Sequence, residues 1–327
     1  MTNDVAEARP GGDAAYGASL TPKGKIILDV FAHRASSDVK DGEDDSSPCF
    51  LLDVDRDRAE EVGVVARARF RVFAETKHFR VADETNRRTN ERTQFTRNLR
   101  RMSLRKKVVI TNESETYDVV VRSPNADGGD GARARADPRT RALGYRDARR
   151  RDDATMTTTR ESVDLAHARA RARLGVAEGW REMEGAMPLE CNLDALRGVS
   201  FTKGCYVGQE NTARQRFRGA TRKRVTPFAI RGSNVSIERG TKIVNERGDV
   251  VGEVLMTSAP PSASAGTGTE TVEEETLGLA RARVEFIRER VAGAPGSIAR
   301  VVDGPEIDVR VPEWWPERFL FDEDETS

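Results

Sequence analysis

The chain is poor in the residues that most often do chemistry or hold covalent structure. Cys49, Cys191 and Cys205 are its only cysteines in 327 residues. They form no CxxC or other metal-ligand spacing and are too few for a disulfide framework, so a reducing compartment fits. Histidine is as scarce. His33, His78 and His167 are scattered and have no partner at metal spacing. Neither GxGxxG nor GxxxxGK[ST] occurs, which disfavours nucleotide cofactors held by a phosphate loop. No run of 18 apolar residues is present to span a membrane. The opening MTNDVAEARPGGDAAYG carries Asp4, Glu7 and Asp13, unlike an arginine-rich, acid-poor transit peptide, and it has no apolar signal core. Net charge is missing too, with 54 basic residues against 54 acidic. That argues against a surface built to coat nucleic acid. The basic runs RNLRRMSLRKK (97–107) and 214–224 lack interleaved aromatics apart from Phe217, so nucleic acid is not the expected partner.

What is present is a chain long enough for two domains, with 37% apolar and 33% charged residues. GKIILDVF (24–31) follows a Pro22–Gly24 turn and reads as a buried strand; CFLLDVD (49–55) reads as a second. DRAEEVGVVARARFRVFAE has helical composition. Residues 82–97 are almost wholly polar and 125–141 are Gly-rich and charged, so both read as loops. LRKKVVITN and ETYDVVVRS read as strands joined at Asn112–Glu113. SVDLAHARARARLGV spaces Val163, Ala166, Ala170 and Leu174 as an amphipathic helix, with Gly175 placed to stop it. Beyond residue 220 the texture changes. VTPFAI, GTKIV, GDVVGEVLM, TLGLARARVEFI and SIARVV are short β-like runs, which predict a small barrel or sandwich interrupted by a low-complexity insert at 258–275. EWWPERF is expected to pack on the body through Trp314 and Trp315.

KGCYVGQE (203–210) stands out from this background. Residues near 209–218 read as a helix stopped by Gly219, so Cys205 is expected just before its positive end. Lys203, Arg214, Arg216, Arg218, Arg222, Lys223 and Arg224 crowd the same stretch, with Glu210 the one acid. Cations and a helix N-terminus favour a thiolate, and Gly204 and Gly208 allow close backbone approach. The same residues also read as a small buried cysteine beside a solvated basic helix face.

KGCYVGQE resembles the signature K-G-C-Y-x-G-Q-E of the YgfZ-type, tetrahydrofolate-binding proteins, relatives of the glycine-cleavage T-protein. MPLECNLDALRGVSFTKGCYVGQENTAR (187–214) is similar to the surrounding family pattern. LTPKGKIILDV, DPRTRALGYR (137–146), LGVAEGW, GDVVGEVL and LGLARAR resemble further family segments in the same order. The basic GATRKR is closer to the mitochondrial branch than to the plastid one. The resemblance implies an α+β fold. An aminomethyltransferase-like folate-binding domain of ferredoxin-like subdomains would span 1–221, carrying 82–97 and 125–141 as inserted loops. A C-terminal β-barrel would span 222–312, followed by a tail at 313–327. Family chains begin with a strand and a helix leading into L-T-N-D, so those first elements are expected to be missing here.

The resemblance further implies a mitochondrial assembly factor that binds tetrahydrofolate and assists late maturation of [4Fe–4S] proteins. Its partners would be A-type carriers of the iron–sulfur machinery and client enzymes; a folate-dependent aminomethyl or methyl transferase is the alternative. Cys205 carries over as a redox thiol or as one ligand of a shared cluster, because four ligands are usual and one cysteine does not hold a cluster alone. Lys203, Gly204, Tyr206, Gly208, Gln209, Glu210 and Arg214 carry over as folate-binding positions. Asp29 aligns with a carboxylate that assists transfer in the transferases, but a strand-end aspartate also reads as solvent-facing.

Overall fold

The computed structural model describes residues 1–4, 8, 12–34, 49–54, 67–71, 110–112, 117–122, 124, 135–150, 160–231, 235–258 and 275–321. These divide into two compact units. The first takes Met1–Thr159, Met183–Pro188 and Leu196–Thr212; the second takes Arg160–Glu182, Leu189–Ala195 and Ala213–Ser327.

The first unit is built on an antiparallel sheet in the order β1 (Ala15–Leu20), β2 (Ile26–Arg34), β3 (Cys49–Asp53), β4 (Arg67–Arg71), β5 (Ile110–Asn112). β6 (Tyr117–Arg122) and β7 (Tyr145–Arg150) form a separate two-stranded sheet. LTPKGKIILDV supplies β2 and the turn before it. Its Thr21 N–H takes the Lys25 carbonyl at 2.8 Å, and Gly24 N–H takes Thr21 O at 2.9 Å. β4 overturns part of the helix expected from DRAEEVGVVARARFRVFAE. Arg67–Arg71 alternates in the period of a strand, and pairing with β3 overrides the helical preference of alanine and arginine. β5 and β6 do not pair with each other, since each joins a different sheet. The 82–97 loop lies outside the described residues. The end of the 125–141 stretch is ordered by its own ion pair: Asp137 and Arg139 are buried and bonded twice, at 2.9 and 2.8 Å.

In the second unit, α1 (Arg160–Leu174) stops where Gly175 turns left-handed at φ +72°. A Cβ on Gly175 would meet Pro312 at 2.7 Å and Pro227 at 2.8 Å, so glycine is required there for space as well as conformation. α2 (Trp180–Met183) follows. Arg171 of α1 grips Glu182 of α2 bidentately, at 2.7 and 2.9 Å, and His167 meets Glu178 at 3.2 Å. The LGVAEGW segment (174–180) is thus bridged by an inter-helix clamp.

The remaining strands close a barrel in the order β10 (Val250–Ser258), β11 (Thr276–Arg283), β8 (Lys223–Ile230), β13 (Glu306–Val309), β12 (Ala299–Val301), β9 (Lys242–Asn245). Phe228, Ile243, Val254, Ala280, Phe286 and Ile307 are among its buried core residues. Two details differ from the sequence reading. TLGLARARVEFI is a strand only to Arg283; Val284–Val291 is helix α4, whose Val284, Phe286 and Ile287 are its buried residues. The sixth strand, EIDV, has only four residues, too short for its alternation to register. Trp315 and Phe319 pack edge to face, 5.5 Å between centroids, over Ala282 and Ile287, and Trp314 donates to Leu174 O at 2.7 Å. The tail anchors as its tryptophans predicted. No described helix is long and apolar enough to cross a membrane.

Candidate functional site

The cysteine motif forms a loop leading into α3 (Gln209–Phe217). Cys205 is exposed while Cys191 is buried, so the reading of Cys205 as an inert core residue fails. Gly204 is exposed beside it, and a Cβ there would meet nothing within 4 Å. Val207, an apolar side chain, is 45% exposed.

Glycine holds this loop in place. Gly208 has φ +83°, and a Cβ on it would lie 2.6 Å from Thr21 O, 2.9 Å from Gly24 Cα and 3.0 Å from Leu20 Cβ. Gly24, at φ +74°, would put its own Cβ 3.0 Å from Asn211 and 3.1 Å from Gly208 O. Two glycines therefore let the 21–24 turn and the 206–211 segment touch backbone to backbone. Asn211 fastens the contact by donating to Lys23 O at 3.0 Å.

The other motif side chains divide by what they do. Lys203 Nζ donates to the carbonyls of Asn3 at 2.7 Å and Met1 at 3.3 Å. It is a clamp between chain segments. The segment it clamps is held further: Asn3 Nδ2 donates to Arg197 O at 2.8 Å and Thr2 Oγ1 to Gly198 O. Gln209 is a local brace, its Oε1 accepting from Tyr206 N at 3.3 Å. Tyr206 is half-buried. Burial pushes its phenol up, opposed by a hydrogen bond with Thr212. Glu210 and Arg214 are exposed on α3, one turn apart. Of the seven basic residues expected around the thiol, Arg224 is buried and donates to Leu189 O, Asn192 Oδ1 and, bidentately, Asp194.

Asp29 lies on β2 and is 2% exposed, which removes the solvent-facing reading. It pairs with Ala18 and shares a sheet face with Phe31 and His33. Tyr16, Phe31 and Asp53 stand side by side across β1, β2 and β3. The DPRTRALGYR motif covers that row: Arg146 sits 3.8 Å over the Phe31 ring and bonds Asp53 at 2.8 Å, and Arg139 lies 4.8 Å over the same ring. His33 is fully buried, with neither ring nitrogen hydrogen-bonded. Burial, then repulsion from Arg146 and Arg135, lowers it to about 3, against attraction by Asp137. This polar face was missed as a unit. DPRTRALGYR was visible as a pattern, but nothing in sequence connects residue 33 to residue 146. Among the described residues, no three His, Cys, Asp or Glu side chains come together to hold a metal.

No protein-family model matches the chain. The mitochondrial iron–sulfur cluster assembly factor IBA57 homolog of Mycosarcoma maydis is 28% identical over 336 residues, covering 92% of this chain and 73% of that protein. The homolog of Chaetomium globosum is 30% identical over 326 residues, covering 90% of this chain and 66% of the other. The chain belongs to the IBA57 family. Human IBA57 is 32% identical over 230 residues, with 65% of this chain and 58% of the human protein covered. These IBA57 relatives are named as mitochondrial, and the chain is of that mitochondrial branch. Among solved structures, the glycine cleavage system aminomethyltransferase T of Bartonella henselae matches with a TM-score of 0.55 over 95% of this chain and 78% of its own, at 10% identity. That likeness is one of fold.

Proposed function

We propose that the protein is an iron–sulfur cluster assembly factor that binds tetrahydrofolate and assists late maturation of [4Fe–4S] proteins, with Cys205 as its working residue. The observation that carries this is the exposed thiol on a glycine-locked loop. A thiol held out to solvent by a fixed backbone suits exchange with a partner, either as a redox group or as one of the four ligands a cluster needs. The names of the IBA57 relatives support the assembly role. The partners proposed are A-type carriers and [4Fe–4S] client enzymes.

A reduced folate brings a flat, hydrogen-bonding pterin and an anionic glutamate tail. The residues here fit it: the half-buried Tyr206 ring, and the exposed Glu210 carboxylate, Arg214 guanidinium and open Gly204 backbone. Lys203, Gly208 and Gln209 would contribute by fixing the loop and not by touching ligand. Bound folate supplies one-carbon carrier chemistry; Cys205 supplies the thiol.

The second reading, an aminomethyl or methyl transferase, is favoured by buried Asp29 at the carboxylate position of the transferases and by the shared fold. Complementation separates the two. In cells lacking their own family member, Cys205→Ala and Cys205→Ser should both leave [4Fe–4S] enzyme activity unrestored, while Asp29→Asn restores it. Rescue by both cysteine variants, with loss in Asp29→Asn, reverses the assignment. Calorimetric titration of the full chain with tetrahydrofolate should give saturable heat; its absence removes folate from the proposal.

A further inference from the structure

Residues 1–4 run between β1 and the 197–203 segment that leads into the cysteine loop, all within the first unit. Thr2 makes the crossing. Towards β1 its N–H donates to Ala18 O and its Oγ1 accepts from Ala18 N, each at 2.9 Å. Towards the loop its carbonyl accepts from Ser200 N at 3.1 Å, and the same Oγ1 donates to Gly198 O. Thr2 is fully buried. A hydroxyl in such a place needs partners, and this one is bonded in both directions. Asn3 adds a second tie. Its Nδ2 donates to Arg197 O at 2.8 Å, and its carbonyl accepts from Lys203 Nζ at 2.7 Å. Gly17 leaves the room, since a Cβ there would lie 3.1 Å from Asn3 N, Met1 Cγ and Thr2 Oγ1. Ser200 Oγ then accepts from Lys203 N at 3.2 Å. The connection from β1 thus ends two residues short of Cys205.

We propose that Thr2, which lies outside the cysteine motif, is a positioning residue for Cys205 and acts through Ser200 and Lys203. The proposal rests on the reading of Cys205 as the working residue. The cysteine loop then has two moorings. Downstream, Gly208 and Asn211 fix it to the 21–24 turn. Upstream, Thr2 and Asn3 fix it to β1. Cys205 stands between them and is exposed. A loop held at both ends presents its middle in one place, and a loop released at one end spreads it over many. Thiol exchange and the sharing of a cluster ligand both require the sulfur at a set approach to a second group, so loss of position is loss of rate. The Thr2 hydroxyl is the smallest part of the upstream mooring that one substitution can remove. It joins the two sides directly, because the same oxygen bonds Ala18 and Gly198.

The test compares Thr2→Val, which keeps the side-chain shape and removes the hydroxyl, with Thr2→Ser, which keeps the hydroxyl. Amide hydrogen exchange of the full chain, read by mass spectrometry, should rise at least ~tenfold over residues 198–206 in Thr2→Val. It should stay at the parent level in Thr2→Ser, and in β8 and β11 of both variants. In cells lacking their own family member, Thr2→Val should restore at least ~tenfold less [4Fe–4S] enzyme activity than the unmodified chain, and Thr2→Ser should restore it fully. If Thr2→Val does not fold, Asn3→Ala, which removes the bond to Arg197 O, takes its place. Unchanged exchange over 198–206, or an equal rise in the barrel strands, overturns the proposal. So does equal loss of activity in Thr2→Ser, which would mark the residue as a general support of the fold. Restoration by Thr2→Val while Cys205→Ala fails defeats the proposal alone. Restoration by Cys205→Ala defeats the reading of the thiol, and the proposal with it.

Discussion

At the scale of single residues, the cysteine loop rests on two glycines with different duties. Gly208→Ala forces a Cβ into Thr21 O at a left-handed φ, and strain plus overlap should cost about 2–4 kcal/mol. Gly204→Ala meets nothing, so its stability should stay within about 0.5 kcal/mol of the parent. Chemical denaturation of the pair checks both, and equal losses would remove the backbone lock. His33 gives a pH signature. Its folded form stays neutral to about 3, whereas the unfolded chain takes up the proton near 6.5. Between those values the unfolded state binds more protons, so stability falls as pH drops through the window. About 1–2 kcal/mol should go between pH 6.5 and 5. His33→Leu should flatten that decline in urea midpoints. The importance of KGCYVGQE was legible in sequence. The division of labour within it was not, because whether a lysine faces a thiol or a carbonyl depends on a segment 200 residues away.

At the scale of elements, the barrel carries the clearest electrostatic tie. Glu253 of β10 is partly desolvated, which opposes ionisation. Hydrogen bonds from Lys242 of β9 and Arg281 of β11 outweigh this and hold it down at about 2. A depressed carboxylate contributes stability above its unfolded value near 4.5 and loses it as pH falls towards 2. Glu253→Gln should therefore cost about 1–3 kcal/mol at pH 7 and far less at pH 3, as thermal melts at both pH values would record. Strand and helix periods were readable wherever they ran long, as in β2, α1 and β8. They failed where two preferences met in one apolar run, as at Arg283–Val284, and where a strand was as short as β13.

At the scale of the whole molecule, the chain changes unit at 159/160, 182/183, 188/189, 195/196 and 212/213. The change of texture near residue 220 was legible, but this interleaving was not, since no linker composition marks it. Within the second unit, Ala172 of α1 packs with Ala229 and Leu277 of the barrel, and Asn192 and Asp194 bind Arg224 of β8. A fragment of residues 222–327 lacks all three. It should show no cooperative thermal transition by circular dichroism, unlike the full chain, and a sharp melt would establish the barrel as self-sufficient.

The glycine contact between the 21–24 turn and the 206–211 segment also imposes an order of assembly. During synthesis the turn leaves the ribosome long before the cysteine, and its partners on the loop arrive more than 180 residues later. The thiol can take up its displayed position only after the sheet that bears that turn has formed. An exposed, correctly held Cys205 is thereby a report that the amino-terminal sheet has already folded.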